Sequence, residues 1–131
     1  MEFQIDVTSR VPIYRQLADQ IRNAVARGRL SASQRLPSVR DLSRQLVINP
    51  NTVAKVYTEL EREGLLLTRP GLGVFVAQSG TELTRKVRRE RITGLIDQVF
   101  TEAVLLEFSA DDVQQLFSER SRQFDWERSK R

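Results

Sequence analysis

The spacing of apolar residues at the start of the chain predicts a first helix over residues 12–27. Pro12 suits the first turn of a helix, where its missing N–H is not needed, and Gly28 supplies a C-terminal stop. The apolar residues between them recur every three or four positions, which is the period of one helix face: Ile13, Leu17, Ile21, Ala24 and Val25.

Two more helices follow after a short polar loop over residues 29–37. Ser38 is a candidate N-cap for the second helix, with Asp41 three residues later as in a capping box. Asn49 caps the third helix in the same way, Pro50 fits its first position, and Gly64 is expected to end it. The inward stripes are Val39, Leu42 and Leu46 on the second helix, and Val53, Val56, Tyr57 and Leu60 on the third.

The next segment has the pattern of a β-hairpin. Residues 65–68 and 74–77 are rich in strand-forming side chains, and the segment RPGLG (69–73) between them is a turn sequence. Three helices followed by a two-stranded ribbon is the order of a winged helix-turn-helix, in which the helix after the turn contacts DNA. The predicted fold class is therefore mostly α with a small β-hairpin.

The second half of the chain predicts two helices. A polar break over residues 78–81 precedes a long helix from about residue 82 to 108, and Ser109 with Asp112 forms a capping-box candidate for a last helix. Residues 121–131 are polar and predicted to be frayed. The apolar positions of the long helix occupy more than one stripe: Leu83, Val87, Ile92, Leu95, Ile96, Val99, Phe100, Ala103, Val104 and Leu106.

The composition excludes several kinds of chemistry. The 131 residues include no histidine and no cysteine, which excludes Cys/His zinc sites, disulfides, haem ligation, and catalysis by Ser-His-Asp or Cys-His groups. The N-terminus lacks an apolar signal segment, and no apolar run approaches the ~18 residues of a membrane span. We therefore expect a cytoplasmic protein without enzymatic activity, cofactor or metal.

Charge is distributed unevenly along the chain. Residues 1–78 hold eleven basic and seven acidic groups, whereas residues 79–131 hold ten of each. Only three of the 21 basic residues are lysines, and arginine favours forked contacts to phosphates and base edges. A basic first half is typical of a nucleic-acid-binding protein, although on charge alone an ordinary solvated surface is the better interpretation.

The third helix has a polarised surface. Asn51, Thr52 and Lys55 share a face near its beginning, and asparagine and lysine are side chains that bond adenine and guanine edges in the major groove. Three glutamates at its far end would repel phosphates. Taken alone, this pattern fits a DNA-contacting face and an exposed polar face about equally well.

Several motifs together resemble the DNA-binding domain of the GntR superfamily. They are RLPSVRDL (35–42), NPNTV (49–53) and EREGL (61–65). The start of the first helix, PIYRQL (12–17), and the wing, RPGLGVFV (69–76), resemble the family as well. The resemblance covers about residues 10–78 without a gap. Asn-Pro-Asn-Thr is typical of the YtrA-like branch, whereas Pro50 and Ala54 replace basic residues that many members carry, so the family's operator sequence is not expected to transfer.

The resemblance implies a bacterial regulator, usually a repressor, that binds a near-palindromic operator as a dimer. It implies that Arg40 contacts a guanine, that Arg35 and Ser38 contact phosphates, and that Gly71 lies near the minor groove. With the face described above, the predicted DNA-binding residues are Arg35, Ser38, Arg40, Asn49, Asn51, Thr52, Lys55, Arg69, Gly71 and Gly73.

Residues 79–131 are predicted to be a helical dimerisation module. Other GntR groups carry much larger ligand-binding or aminotransferase-like domains after the first domain, whereas two helices resemble the short YtrA-like module. We leave open whether a small-molecule effector exists. The basic run 85–91 could touch phosphates beside the operator, but the sequence favours a solvated helix face, with Glu82 pairing to Lys86 four residues later. The predicted dimerisation residues are Ile92, Leu95, Ile96, Val99, Phe100 and Ala103.

Two other functions remain open from the sequence. The first is a winged helix that binds another protein and has no DNA role, against which the intact Arg40, Asn51 and Lys55 face argues. The second is a truncated regulator fused to an enzyme, which the return to amphipathic helix after residue 78 disfavours. The partners we expect are double-stranded DNA and a second copy of the chain, and no membrane.

Overall fold

The structure, a computed structural model, describes residues 2–78 and 83–130. The chain divides into two compact units, one of Met1–Thr81 with Asp125–Arg131 and the other of Glu82–Phe124. The predicted winged-helix fold class is confirmed. The elements are α1 (Ile13–Ala26), α2 (Val39–Leu46), α3 (Pro50–Arg62), β1 (Leu66–Arg69), β2 (Gly73–Val76), α4 (Arg85–Leu105), α5 (Ala110–Ser121) and a short 3-10 helix (Trp126–Lys130).

The three N-terminal helices and the hairpin enclose one apolar core. The inward stripe of each helix, as the sequence predicts, supplies most of it, and burying such a stripe is what stabilises helices of this length. The buried apolar side chains include Leu17, Ile21, Val25, Leu30, Leu36, Leu42, Val53, Val56, Leu60, Leu66 and Val76.

The N-terminal arm, residues 2–11, lies along α1 and was not predicted. Phe3 is buried in the core, although it precedes the predicted domain start at residue 10. Gln20 accepts a hydrogen bond from the Gln4 N–H at 2.9 Å and donates to the Gln4 carbonyl. Gln16 does the same with the backbone of Asp6. Two side chains one helical turn apart thus satisfy the backbone of an extended segment.

Part of the predicted polar loop before α2 pairs with the hairpin. The Leu36 N–H donates to the Val74 carbonyl at 2.8 Å, and the Val76 N–H donates to the Gln34 carbonyl at 2.8 Å. Arg35 forms an isolated antiparallel bridge with Phe75. β2 is therefore hydrogen-bonded on both sides, by β1 and by this segment, and the base of the wing is fixed to the helix-turn-helix.

The second unit is a pair of helices, α4 and α5, with little buried surface. Thr84 caps α4 by accepting from the Val87 N–H, and Ser109 with Asp112 forms the predicted capping box of α5. The backbone and side-chain hydrogen bonds from Ser109 lower the pKa of Asp112. No residue of α4 is buried, and Val113 is the buried residue of α5. The predicted start of α4 at Glu82 lies outside the described residues.

Two features of this half differ from the prediction. The long helix ends at Leu105, three residues early, because Glu107 takes a positive φ of 62° in the turn before α5. The predicted fraying of residues 121–131 is also not seen in the described part of that segment, where residues 126–130 form the short 3-10 helix. The Asp125 N–H donates to the Ala26 carbonyl at 2.6 Å, and Arg128 donates to the Ala77 carbonyl at 3.2 Å. These long-range bonds order a segment whose local sequence is polar.

Candidate nucleic-acid interface

The turn between α2 and α3 depends on one residue in an unusual conformation. Val47 follows α2 in the left-handed region, with φ 55° and ψ 52°, and its side chain is 88% exposed. The next N–H, that of Ile48, donates to the Ser43 carbonyl at 3.1 Å and closes the helix end. A β-branched residue rarely adopts this conformation, so the geometry of the helix-turn-helix is imposed by its surroundings.

Polar side chains cap both helices of the motif. The Ser38 hydroxyl accepts from the Asp41 N–H at 3.0 Å, and the Asn49 Oδ1 accepts from the Asn51 N–H at 2.8 Å. Both cap residues were predicted to contact DNA. These caps use only the oxygens of the two exposed side chains, so the Ser38 hydroxyl hydrogen and the Asn49 amide NH₂ remain as donors at the start of each helix, where the helix dipole favours an anion.

The first two turns of α3 present the predicted polar face. Asn51 and Lys55 are exposed one turn apart, and Thr52 beside them is half-buried. The Lys55 ammonium lies 4.9 Å from the centre of the Tyr14 ring of α1, a cation–π distance. Tyr14 therefore holds the lysine stem against α1, a contact that nothing in the local sequence of either helix indicates.

The far end of α3 is acidic, and two of its glutamates have structural partners. Glu61 accepts from the Thr68 N–H of β1 at 3.1 Å. Glu63 binds Arg22 of α1 through two contacts of 3.0 and 2.5 Å, and this hydrogen bond raises the pKa of the Arg22 guanidinium. These carboxylates therefore fix α3 against α1 and the wing, besides keeping its far end negative.

A buried tyrosine sets the spacing between α3 and the start of α2. The Tyr57 hydroxyl donates to the Pro37 carbonyl at 2.7 Å. Its ring is 5% exposed, and burial raises the pKa of this hydroxyl. Because the bond joins the middle of α3 to the residue before Ser38, it positions the two caps relative to each other.

The wing turns tightly at Pro70 and Gly71. The Leu72 N–H donates to the Arg69 carbonyl at 2.9 Å, which closes a four-residue turn. Gly71 has φ 76° at the third position, as a type II turn requires after proline. A Cβ at Gly71 would meet no atom within 4 Å. The glycine is therefore needed for its backbone conformation, and the wing tip is open on that side.

Two arginines lie against the base of the wing. A Cβ at Gly73 would come within 2.9 Å of Arg35 Nε, so Gly73 leaves the space in which this guanidinium lies. The Arg69 guanidinium lies 5.7 Å from the centre of the Phe75 ring. The structure thus brings Arg35 and Gly73, which are far apart in sequence, into contact.

All ten predicted DNA-binding residues belong to the first unit, in three groups. Ser38 and Arg40 lie at the start of α2, four residues lie at the start of α3, and Arg35 groups with the wing residues. Eight of the ten are exposed, whereas Thr52 and Gly73 are half-buried. The missed contributors are Tyr14, Val47 and Tyr57, whose roles depend on backbone conformation or contacts between elements.

The predicted dimerisation residues are all on α4 in the second unit. Phe100 packs edge-on against Phe117 of α5, with ring centres 6.3 Å apart, and Ile96 and Ala103 are half-buried. Ile92, Leu95 and Val99 are 56%, 51% and 43% exposed. Their spacing of three and four residues places them on one side of the helix, so α5 leaves an apolar stripe of α4 uncovered.

Over residues 2–78 and 83–130, no three acidic side chains gather as a metal site would require. In these same two ranges no helix has the length and apolarity of a membrane span.

Comparisons of this sequence with known proteins agree on one family. Residues 13–76 match the family described as bacterial regulatory proteins, gntR family. The uncharacterized HTH-type transcriptional regulator YhcF of Bacillus subtilis is 42% identical over 94 residues, 70% of this chain and 78% of that protein. The HTH-type transcriptional repressor YtrA of the same organism is 42% identical over 58% of each chain.

Solved structures agree over most of the length. A transcriptional antiterminator from Listeria monocytogenes EGD-e matches with a TM-score of 0.74 and 32% identity, over 92% of this chain and 90% of that one. The DNA-binding domain of AraR in complex with operator ORE1 matches with a TM-score of 0.50 and 26% identity, over 59% of this chain and 94% of that one.

Proposed function

This chain belongs to the GntR family of bacterial regulatory proteins, in its YtrA-like branch, and we propose that it is a DNA-binding repressor that acts as a homodimer on a near-palindromic operator. The observation that carries the proposal is the exposed start of α3, with Asn51 and Lys55 one turn apart. In helix-turn-helix proteins the first residues of this helix contact base edges in the major groove.

The chemistry of the neighbouring side chains indicates which of them contact bases and which contact phosphates. Asn51 pairs with a base edge and Arg40 with a guanine, since these side chains present two-pronged hydrogen bonding. Ser38, Asn49 and Thr52 donate to phosphates from the helix starts. The acidic end of α3 points away from the groove, because phosphates repel it. Arg35, Arg69, Gly71 and Gly73 form the wing contact with the adjacent backbone and minor groove.

The homodimer is supported by the uncovered stripe of α4. Three large apolar side chains, Ile92, Leu95 and Val99, are roughly half exposed on one side of the helix, and a contiguous apolar surface is characteristic of an interface. Pairing two copies about a two-fold axis buries the stripe and presents two recognition helices to two half-sites, one DNA turn of ~34 Å or a multiple apart.

The remaining parts of the proposal follow from this role. A regulator that acts on operator DNA functions in the cytoplasm of a bacterium and requires no enzymatic activity. The competing function is a winged helix that binds protein only. The polar Asn51 and Lys55 face disfavours it, because interface centres between proteins are enriched in aromatic residues and depleted in lysine.

The test combines solution mass with selection of DNA. Purified full-length protein is expected to be dimeric at micromolar concentration and to enrich an inverted repeat from a random duplex pool. Leu95→Glu with Val99→Glu should give a folded monomer that binds the repeat at least ten-fold more weakly, whereas the control Gln98→Glu should stay dimeric. A monomeric wild-type protein, or a pool without a shared sequence, would contradict the proposal.

A further inference from the structure

The first two turns of α4 hold a concentrated positive charge. Arg85, Lys86, Arg88, Arg89 and Arg91 are all exposed, and Glu90 is the single acid among residues 85–91. Among residues 2–78 and 83–130, no carboxylate lies within 4.0 Å of any of these five, whereas Arg15 and Arg22 of the first unit do form ion pairs with acids. The charge of α4 is therefore not compensated within the described chain.

Three of these arginines line one shallow groove. Arg85, Arg88 and Arg89 border a depression of about 360 Å³ together with Ile92, Thr93 and Ile96; we call it the arginine groove. One residue turns a helix by about 100°, so Glu90 and Arg91 point away from Arg85 and Arg89. The groove continues the apolar stripe of α4 toward its N-terminus, where the character of the side chains changes from apolar to cationic.

The three arginines of the groove are better suited to binding a polyanion than to being surrounded by water alone. Like charges one helical turn apart repel each other and weaken a helix, so three unpaired arginines on one groove are unfavourable unless an anion joins them. Arg85 and Arg89 are about 6 Å apart along the axis. A DNA strand carries one phosphate per 3.4 Å of its axis, and guanidinium groups bind phosphate through two parallel hydrogen bonds.

We propose that the arginine groove binds the phosphate backbone of the operator duplex, outside the bases that α2, α3 and the wing contact. The inference rests on the proposed function, because it requires the protein to be on DNA. Eight residues, 77–84, join β2 to α4, and a fully extended segment of that length spans at most about 28 Å. Chain connectivity therefore limits the distance between the end of β2 and the start of α4.

Such a contact adds affinity without adding sequence preference. Each phosphate neutralised by a cationic side chain releases counterions, and the slope of log affinity against log salt changes by about 0.9 for each. The groove would thus strengthen binding to every duplex, while discrimination between duplexes stays with the helix-turn-helix.

The test compares two double variants with equal charge change. Arg85→Gln with Arg89→Gln removes two charges from the groove, and Lys86→Gln with Arg91→Gln removes two from outside it. We expect the groove variant to bind operator about ten-fold more weakly than wild type at low salt, with a salt slope reduced by about 0.9 per lost contact. The control variant should change either quantity less than half as much.

Replacing single phosphates of the operator by uncharged groups shows where the arginine groove contacts the DNA backbone. In operators carrying one methylphosphonate at a time, wild type and control should lose affinity at particular positions outside the contacted bases, and the groove variant should be insensitive there. If wild type binds operator specifically but the two variants behave alike, the inference is wrong while the proposed function stands. If inorganic phosphate binds to wild type and not to the groove variant, yet leaves the operator affinity of wild type unchanged at constant ionic strength, the groove binds a free anion and the proposal is overturned.

Discussion

Several single residues in this protein fix the distance between elements that we propose contact DNA. Tyr57 joins α3 to the segment before α2 through Pro37, Glu63 joins α3 to α1 through Arg22, and Gly73 admits Arg35 to the wing. None of the three pairings is encoded by local spacing, since the partners are 20, 41 and 38 residues apart. From the sequence, Tyr57 is expected in the core, Glu63 on a charged helix end and Gly73 in a turn. The sequence does not indicate which residue each of them contacts.

Replacing Tyr57 by phenylalanine should lower stability. The change removes the hydroxyl that binds the Pro37 carbonyl and leaves that acceptor partly buried without its donor, which costs about 1–2 kcal/mol. Urea denaturation should show this loss, whereas Tyr14→Phe, at a ring 39% exposed, should change the free energy of unfolding by less than ~0.5 kcal/mol. Equal stability of the two variants would mean that the buried bond contributes nothing.

Gly73 and Gly71 should respond differently to alanine. Both have positive φ, so each substitution strains the turn, but a methyl group at Gly73 also displaces the Arg35 guanidinium, 2.9 Å away. We expect Gly73→Ala to lower DNA affinity several-fold more than Gly71→Ala. In an Arg35→Gln background that extra loss should disappear. Additive effects of Gly73→Ala and Arg35→Gln would show that the two residues act separately.

At the scale of elements, helices follow their local signals and the irregular segments do not. Ser38, Asn49 and Ser109 cap the helices that their positions predict, because a cap acts over three residues. The hairpin strands shift by only one residue from the prediction. The strand-like segment beside β2, the N-terminal arm and the C-terminal 3-10 helix could not be predicted, because each is ordered by distant backbone groups.

The turn between α2 and α3 offers a stabilising substitution. Val47 takes the left-handed conformation and its side chain is 88% exposed, so almost no packing is lost on replacement. Left-handed backbone costs a β-branched residue about 1–2 kcal/mol, whereas asparagine adopts it readily. Val47→Asn should therefore raise the free energy of unfolding by about 1 kcal/mol. Val7→Asn, at another exposed valine, should leave it nearly unchanged, and a Val47→Asn protein less stable than wild type would contradict this account of the turn.

At the scale of the whole molecule, the two units divide charge and apolar surface between them. Residues 1–78 carry the entire net charge of +4, and they hold the compact core and all ten predicted DNA-binding residues. The second unit has no buried residue on α4 and a row of exposed apolar side chains. The uneven charge and the apolar spacing can be read from the sequence, since both are local properties. The proposed covering of the α4 stripe by a second copy is a property of an assembly, which the sequence of a single chain does not describe.

The central claim, that the start of α3 contacts bases, is tested most directly by measuring dissociation constants on operator and on scrambled duplex over a range of salt. Asn51→Ala should weaken the free energy of binding to operator, but not to scrambled duplex, by about 1–3 kcal/mol. It should also reduce the sequence preference at one base pair. Lys55→Ala, if its ammonium meets phosphate, should weaken both duplexes equally and lower the salt slope by about 0.9. Asn23→Ala, an exposed asparagine on α1, is the matched control and should match wild type. If Asn51→Ala and Arg40→Ala both bind operator as tightly as wild type, α2 and α3 do not contact the bases and the account is contradicted.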